Sequence, residues 1–362
     1  MILPSKKHTR PIGLRKIFFT EIQIHPLVRF CGGARAAKLL ADGQWRKLLN
    51  YLFSEAARWL GLRTFPAKPY FLSLEPTDNC QLSCPFCVTR CGTGEKHTLP
   101  YADYQSLLRF LGPHLIRAEL YKGGEPFLHP RIVDMIRLAK SYGAEVHISS
   151  NLNNLPPEGA AGLVDSGLDV LVASIDGASQ QTYEKYRIGG NFARALENAA
   201  AIVEQKHKRG TMFPELIWQF IVFKHNQHEL NDAVEMARKA GFDQIMFRPA
   251  SMPNDPQLHR DWRSTLPEFY EEKLCSEDAT CPWPWGGLNV YADGSVSLCY
   301  VDGEKHQHIS DMPRMAAEMR SGRVYKEARR LICELEKGRA PEPGCAHPCA
   351  HCPSFGKSNF WV

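Results

Sequence analysis

Between Tyr70 and Ala250 the sequence alternates short apolar runs with longer stretches of helical spacing, and this alternation restricts the fold more than any other feature. The runs are Tyr70 to Glu75, Arg117 to Tyr121, Glu145 to Ser149, Val170 to Ile175, Leu216 to Phe223 and Gln244 to Phe247. Runs this short, bounded by turn residues, read as strands. Helical patterns fall near 102–111, 130–142, 157–166, 192–209 and 228–240, each closing near a glycine or turn residue. Six strands alternating with helices imply right-handed βα units on a parallel sheet, an α/β fold. Ligands of such sheets lie at the C-terminal ends of the strands, so chemistry is expected there.

The flanks are built differently. Within 34–62, Trp45, Leu48, Leu49, Leu52, Ala56, Trp59 and Leu60 fall on one helical stripe, while Arg46, Lys47, Asn50, Glu55 and Arg58 fall elsewhere. The stripe is expected to dock on the main domain; the basic-leaning polar face leaves a peripheral membrane contact as the other reading. Residues 1–66 thus form an N-terminal helical extension and 67–250 the core. Residues 251–274, rich in Pro, Asp and Arg, read as a linker or lid. In 275–362, a hairpin turning at Ala292-Asp293-Gly294 precedes helical segments near 312–335, a small α+β tail.

Composition excludes several classes. Of 362 residues, 44% are hydrophobic and 23% charged, and 44 basic against 39 acidic residues leave only +5. So mild an excess is no nucleic-acid footprint. The N-terminus has no signal-peptide pattern, and no run approaches a membrane span. A cytoplasmic location is expected, where twelve cysteines serve as metal ligands or catalytic groups more often than as disulfides.

Three of them, Cys80, Cys84 and Cys87, follow the first strand in the order Cys80-Gln-Leu-Ser-Cys84-Pro-Phe-Cys87. Three thiolates can ligate three irons of a [4Fe-4S] cluster and leave the fourth open. Spacing alone equally allows zinc, with Cys91 as a fourth donor, or a thioredoxin-like Cys84/Cys87 pair. CxxxCxxC after strand one of a βα repeat resembles the signature of radical S-adenosylmethionine (radical SAM) enzymes. Later strand ends resemble the same family over roughly 70–250. Gly123-Gly124-Glu125-Pro126 looks like its GGEP motif, implying that the backbone of this loop and the Glu125 carboxylate bind the cofactor's amino group. Ser149 and Asn151 end the third strand, and Ser174 and Asp176 the fourth, which implies contacts to ribose and amino acid. Arg187 corresponds to an arginine offered to the cofactor's carboxylate, and Phe86 to a residue packing near adenine. The resemblance implies a partial (β/α)6 TIM-like barrel.

Downstream, Cys281-x12-Gly294-x4-Cys299 and a terminal Cys349-Ala-His-Cys352 resemble the SPASM and twitch extensions of that family. The likeness implies that Cys281, Cys299, Cys349 and Cys352 hold a second, auxiliary [4Fe-4S] cluster, with structural zinc as the alternative. Cys31, Cys91, Cys275, Cys333 and Cys345 remain. Cys91 and Cys275 lie near the two sets in sequence and are candidate hydrogen-atom donors.

By resemblance, the activity is reductive cleavage of S-adenosylmethionine to a 5'-deoxyadenosyl radical, which abstracts hydrogen from a substrate C–H bond. An external low-potential donor such as flavodoxin or ferredoxin is implied. The expected substrate is a carbohydrate or other small metabolite, oxidised or epimerised. A ribosomally made peptide is the alternative, and a non-catalytic iron-sulfur or zinc scaffold is the reading from another class.

Overall fold

A computed structural model describes residues 16–18, 32–87, 95–252, 255–269, 281–300, 302–342 and 344–352. Its strands are β1 (Lys16–Phe18), β2 (Phe71–Leu74), β3 (Arg117–Glu119), β4 (Glu145–Ser150), β5 (Val170–Ser174), β6 (Glu215–Val222), β7 (Gln244–Pro249), β8 (Gly287–Val290), β9 (Ser295–Ser297) and β10 (Gln307–His308). The six expected strands are β2 to β7, and each pairs in parallel with the next. The sheet does not close: β1 covers the free edge of β7 and β8 that of β2, giving the order β1-β7-β6-β5-β4-β3-β2-β8-β9-β10. This is the expected α/β architecture, a partial barrel.

The helices are α1 (Gly32–Ala41), α2 (Trp45–Trp59), α3 (Tyr101–Leu111), α4 (Ile132–Ser141), α5 (Gly159–Asp165), α6 (Gln180–Tyr186), α7 (Phe192–Arg209), α8 (Leu230–Lys239), α9 (Pro256–Trp262), α10 (Trp283–Gly286), α11 (Met312–Ser321) and α12 (Arg323–Glu336). Helix α7 shows why the sequence folds this way locally. Asn191 caps it by accepting from Arg194 N, and Gly210 ends it at a φ of 59°, a left-handed conformation suited to glycine. Between them Phe192, Ala195, Ala199 and Ile202 are buried. Strand β6 meets the helical layer with Leu216, Trp218, Phe220 and Val222, all fully buried, while the alternating Ile217 and Gln219 line the barrel interior.

Helix α2 overturns the expected docking face. Trp59 is 86% exposed, Leu60 68%, Trp45 58% and Leu49 54%, whereas Lys47, Leu48, Asn50, Tyr51, Ser54 and Ala57 are buried. Polar anchoring selects the buried side. Lys47 Nζ donates to Gly143 O at 2.9 Å, Asn50 exchanges two 2.8 Å bonds with the Lys68 backbone, and Ser54 Oγ donates to Trp285 O at 3.0 Å. Apolar periodicity is blind to such partners.

The tail joins the core directly. Strand β8 runs parallel to β2, with Phe71 opposite Gly287 and Leu74 opposite Val290, and β9 folds back antiparallel. Buried Arg329 of α12 donates to Pro284 O at 2.9 Å and Arg63 O at 2.7 Å, tying the tail to the segment after α2. In the stretch read as linker or lid, α9 and an antiparallel bridge between Phe223 and Arg263 lie against the end of β6. Residues 253–254 and 270–280 lie outside the described residues.

Candidate iron-sulfur and cofactor site

The loop leaving β2 carries Cys80, Cys84 and Cys87, all free thiols. Cys87 N donates to Cys84 O at 3.2 Å, and Ser83 N donates to Ile188 O at 2.9 Å, clasping the loop to the segment after α6. The three sulfurs lie close enough to influence one another. Burial pushes the Cys80 thiol up to about 11, with Glu125, Cys84 and Cys87 adding to the rise. Burial also raises Cys84, which Arg187 partly offsets. Crowded, desolvated thiols keep their protons at neutral pH unless a cation takes their place, so the donor set fits a cationic metal group. Asn151 Nδ2 donates to Cys80 Sγ at 3.9 Å and Arg187 Nη1 to Cys84 Sγ at 4.0 Å, while Cys87 Sγ lies 3.9 Å from Gly123 O. Such hydrogen bonds tune a cluster's sulfurs.

The GGEP loop follows β3 and packs on the root of the cysteine loop. A Cβ on Gly124 would stand 2.0 Å from Thr77 O and 2.8 Å from Asn79 O. Glycine is therefore required for contact with the chain's own backbone. Glu125 is 2% exposed and its carboxylate is committed internally. It accepts from Phe127 N at 3.1 Å, Ser150 Oγ at 2.8 Å and Asn151 N at 2.8 Å, and its own N–H donates to Asn79 O at 2.7 Å. Burial pushes its pKa above the ordinary carboxylate value, against the pull of these donors. Glu125 thus fastens the β3 and β4 loops together.

At the end of β4, Leu152 adopts a φ of 54°, which is uncommon for a large side chain and marks a held conformation. Its N–H donates to Ser150 Oγ at 3.0 Å and its carbonyl accepts from Asn198 Nδ2 at 2.8 Å. Ser149 and Ser174 face each other across β4 and β5, Oγ to Oγ 3.1 Å. Asp176 is fully buried and also committed: it accepts from Arg187 Nε at 2.6 Å and Ile221 N at 2.7 Å. Burial works against the charge on Arg187, yet Asp176 and Cys84 outweigh it and raise the guanidinium above its ordinary range. Asp176 is therefore a support for Arg187, which reaches the cysteine loop.

Phe86 sits in an aromatic nest. Its ring is 5.1 Å from Trp262 and 6.0 Å from Tyr186, and Tyr186 is 4.5 Å from Phe223. Trp262, which nothing in the motif pattern marks, brings the stretch read as a lid against the cysteine loop.

The strands flank a cavity of about 240 Å³ lined by Tyr121, Lys122, His147, Ser149, Gln219 and Arg248, with Glu215, Gln244 and aliphatic side chains completing the lining. Beside it Glu145 bonds Arg117 at 3.0 Å and contacts His147. Burial holds Glu119 up to about 7. Motif reading missed this polar interior, although charged and polar residues at alternate positions 117, 119, 121 and 145, 147, 149 carry its signal.

The second set also gathers. Cys281, two residues before α10, is raised by burial and then by Cys299 and Cys352; Cys349 is raised by burial and then by Cys281, Cys299 and Cys352. Tyr325 Oη is buried, feels Cys299, and has no hydrogen-bond partner among the described residues, a donor that a cluster sulfide would satisfy. Cys333 packs against Gly61, apart from the set. Cys31, Cys91 and Cys275 lie outside the described residues, so neither hydrogen-donor candidate is positioned.

Three thiols therefore gather where the first barrel strand ends, backed by an arginine that is itself paired with Asp176. Residues 74–214 match the model of the Radical SAM superfamily, and the chain carries that domain. It is 28% identical over 176 residues to the mycofactocin maturase MftC of Mycobacterium ulcerans, covering 48% of this chain and 45% of that protein. It is 27% identical over 287 residues to the PqqA peptide cyclase of Ruegeria pomeroyi, covering 68% and 71%. The chain thus spans less than half of MftC. The fold resembles Streptococcus suis SuiB bound to S-adenosylmethionine, with a TM-score of 0.59 at 15% identity over 78% of this chain and 72% of that one. The family uses a [4Fe-4S] cluster and S-adenosylmethionine, its members related to this chain are enzymes, and its SPASM-type relatives carry auxiliary clusters. Among the described residues no helix is long and apolar enough to cross a membrane.

Proposed function

We propose that this enzyme abstracts a hydrogen atom from an unactivated C–H bond of a substrate held in the barrel chamber, with Cys80, Cys84 and Cys87 as the cluster ligands. The observation that carries the reading is three mutually coupled thiols, hydrogen-bonded by Asn151 and Arg187, beside a polar chamber. Cluster and cofactor together supply an electron and a carbon-centred radical. The chain's own residues bind, orient and shield. Arg187, held by Asp176, offers its guanidinium to the cofactor's carboxylate. Backbone groups of Gly123, Gly124 and Pro126, set by Glu125, receive the ammonium. Ser149, Ser174 and Asn151 face the ribose, and Phe86 with Tyr186, Phe223 and Trp262 packs by the adenine and excludes water.

Cys281, Cys299, Cys349 and Cys352 would hold an auxiliary [4Fe-4S] cluster, which would supply an electron-exchange partner for the substrate or for a flavodoxin- or ferredoxin-like donor. The small polar chamber supports a carbohydrate-like or other small metabolite, oxidised or epimerised. A peptide substrate is supported by the names of the relatives, a maturase and a peptide cyclase, and by the SuiB structure with its precursor peptide SuiA. Cysteines clustered at metal-ligand spacing support a reducing, cytoplasmic setting, and the bare stripe of α2 supports peripheral contact with a membrane surface.

Anaerobic reconstitution with S-adenosylmethionine and a strong reductant tests the central reading; absence of 5'-deoxyadenosine would sink it. Deuterated sugars and deuterated peptides then separate the substrate classes by which label reaches 5'-deoxyadenosine.

A further inference from the structure

One wall of the chamber carries chemistry that the reading above does not use. Lys122, between Tyr121 and the glycine pair, lines the cavity of about 240 Å³. Its Nζ is shielded from solvent and meets no hydrogen-bond acceptor among the described residues. It lies 3.6 Å from the centroid of the Tyr291 ring, and Tyr291 is itself fixed, its hydroxyl donating to Asp302 O at 3.0 Å. Glu75, an acid that feels the Lys122 charge, already accepts from Gly123 N at 2.9 Å and Ala292 N at 3.3 Å. A ring face attracts an ammonium but leaves its N–H donors unmatched. A buried donor without an acceptor marks a place where an acceptor is expected to arrive.

The surroundings indicate what kind. Arg248 of β7 lines the same cavity, and the cavity's acidic lining residue, Glu215, is the first residue of β6, at the end of the strand away from the cysteine loop. At the loop end, the cavity's charged lining residues are thus Lys122 and Arg248, and the nearby Glu75 carboxylate is committed to Gly123 N and Ala292 N. Gly123, next to Lys122, has its carbonyl 3.9 Å from Cys87 Sγ, so a group bound at Lys122 is anchored beside the proposed cluster. Arg187 reaches that loop at Cys84, from α6, and serves a different contact.

We propose that Lys122, together with Arg248, binds an anionic group of the substrate, a carboxylate or a phosphate, and that this contact selects charged over neutral substrates. The proposal rests on the hydrogen-abstraction reading of the same chamber. A neutral sugar leaves the ammonium unmatched, which lowers its affinity relative to an acidic one.

The test is calorimetric titration of the reconstituted full chain, with S-adenosylmethionine present to fill the cofactor's own anion contacts, using inorganic phosphate and separately glutarate. Saturable binding is expected, weakened about tenfold or more in Lys122→Gln, retained in Lys122→Arg, and weakened in Arg248→Gln. The tighter of the two probes assigns phosphate or carboxylate. No saturable binding of either probe, or equal binding by wild type and Lys122→Gln, overturns the proposal. Should Lys122→Gln fail to fold, undiminished binding by Arg248→Gln overturns it instead. Measuring 5'-deoxyadenosine on the same wild-type sample separates the two readings. Anion binding without that product removes the radical reading alone; the product without anion binding removes the anion site alone.

Discussion

Asp176 and Arg187 form a buried ion pair, Oδ2 to Nε 2.6 Å, that delivers Nη1 of the arginine to within 4.0 Å of Cys84 Sγ. The second carboxylate oxygen accepts from Ile221 N at 2.7 Å, so the aspartate couples the end of β6 to the cysteine loop through one guanidinium. Removing its charge while keeping its shape leaves a buried, unmatched cation. Asp176→Asn is expected to destabilise the chain by about 3 kcal/mol or more, measured by urea unfolding. A loss under about 1 kcal/mol would show that water, and not Asp176, satisfies Arg187.

The βα alternation between 70 and 250 was legible because parallel strands buried on both faces read as apolar runs between helices. The cysteine triplet was legible because its spacing is local. Three features were not. The destination of a carboxylate depends on where other loops come to rest: Glu125 and Asp176 read as ligand-facing groups, yet both are consumed by backbone N–H groups and neighbouring side chains. The pairing of β8 with β2 joins residues 287–290 to 71–74, and no periodicity encodes a partner so distant. Trp262 reaches Phe86 only because α9 folds back along β6.

The two cysteine sets sit on separate elements, one after β2 and the other around α10, β9 and the terminal turn, so each should load without the other. In Cys84→Ala, about four of roughly eight iron atoms per chain are expected to remain, and 5'-deoxyadenosine formation should vanish. Iron analysis beside product chromatography reads both numbers. Complete loss of iron would mean that the sets are not independent.

Glu119 gives the barrel interior a pH signature. Burial holds its carboxyl at about 7, against an ordinary value of 4.5, with Arg117 and Tyr121 opposing the rise. The folded chain therefore keeps a proton that the unfolded chain releases, and stability falls as pH rises from about 4.5 to 7. Because Glu119 is only partly buried, the expected loss is about 2 kcal/mol, below what the full shift implies. Chemical denaturation across that window should show the decline, and Glu119→Gln should flatten it. An unchanged slope in the variant assigns the pH dependence to other groups.

Helix α2 offers the sharpest contrast between sequence pattern and packing. Leu48 and Leu49 are adjacent and chemically identical, but Leu48 is 7% exposed and Leu49 54%. Leu48 belongs to the central core with Tyr51 and Ala57, so Leu48→Ala is expected to cost about 2–3 kcal/mol. Leu49→Ala and Trp59→Gln, on the outward stripe, should each change stability by less than about 0.5 kcal/mol. Thermal unfolding of the three variants under one buffer decides the matter. Equal destabilisation at positions 48 and 49 would mean that the outward stripe is covered in solution and that the helix docks on both faces.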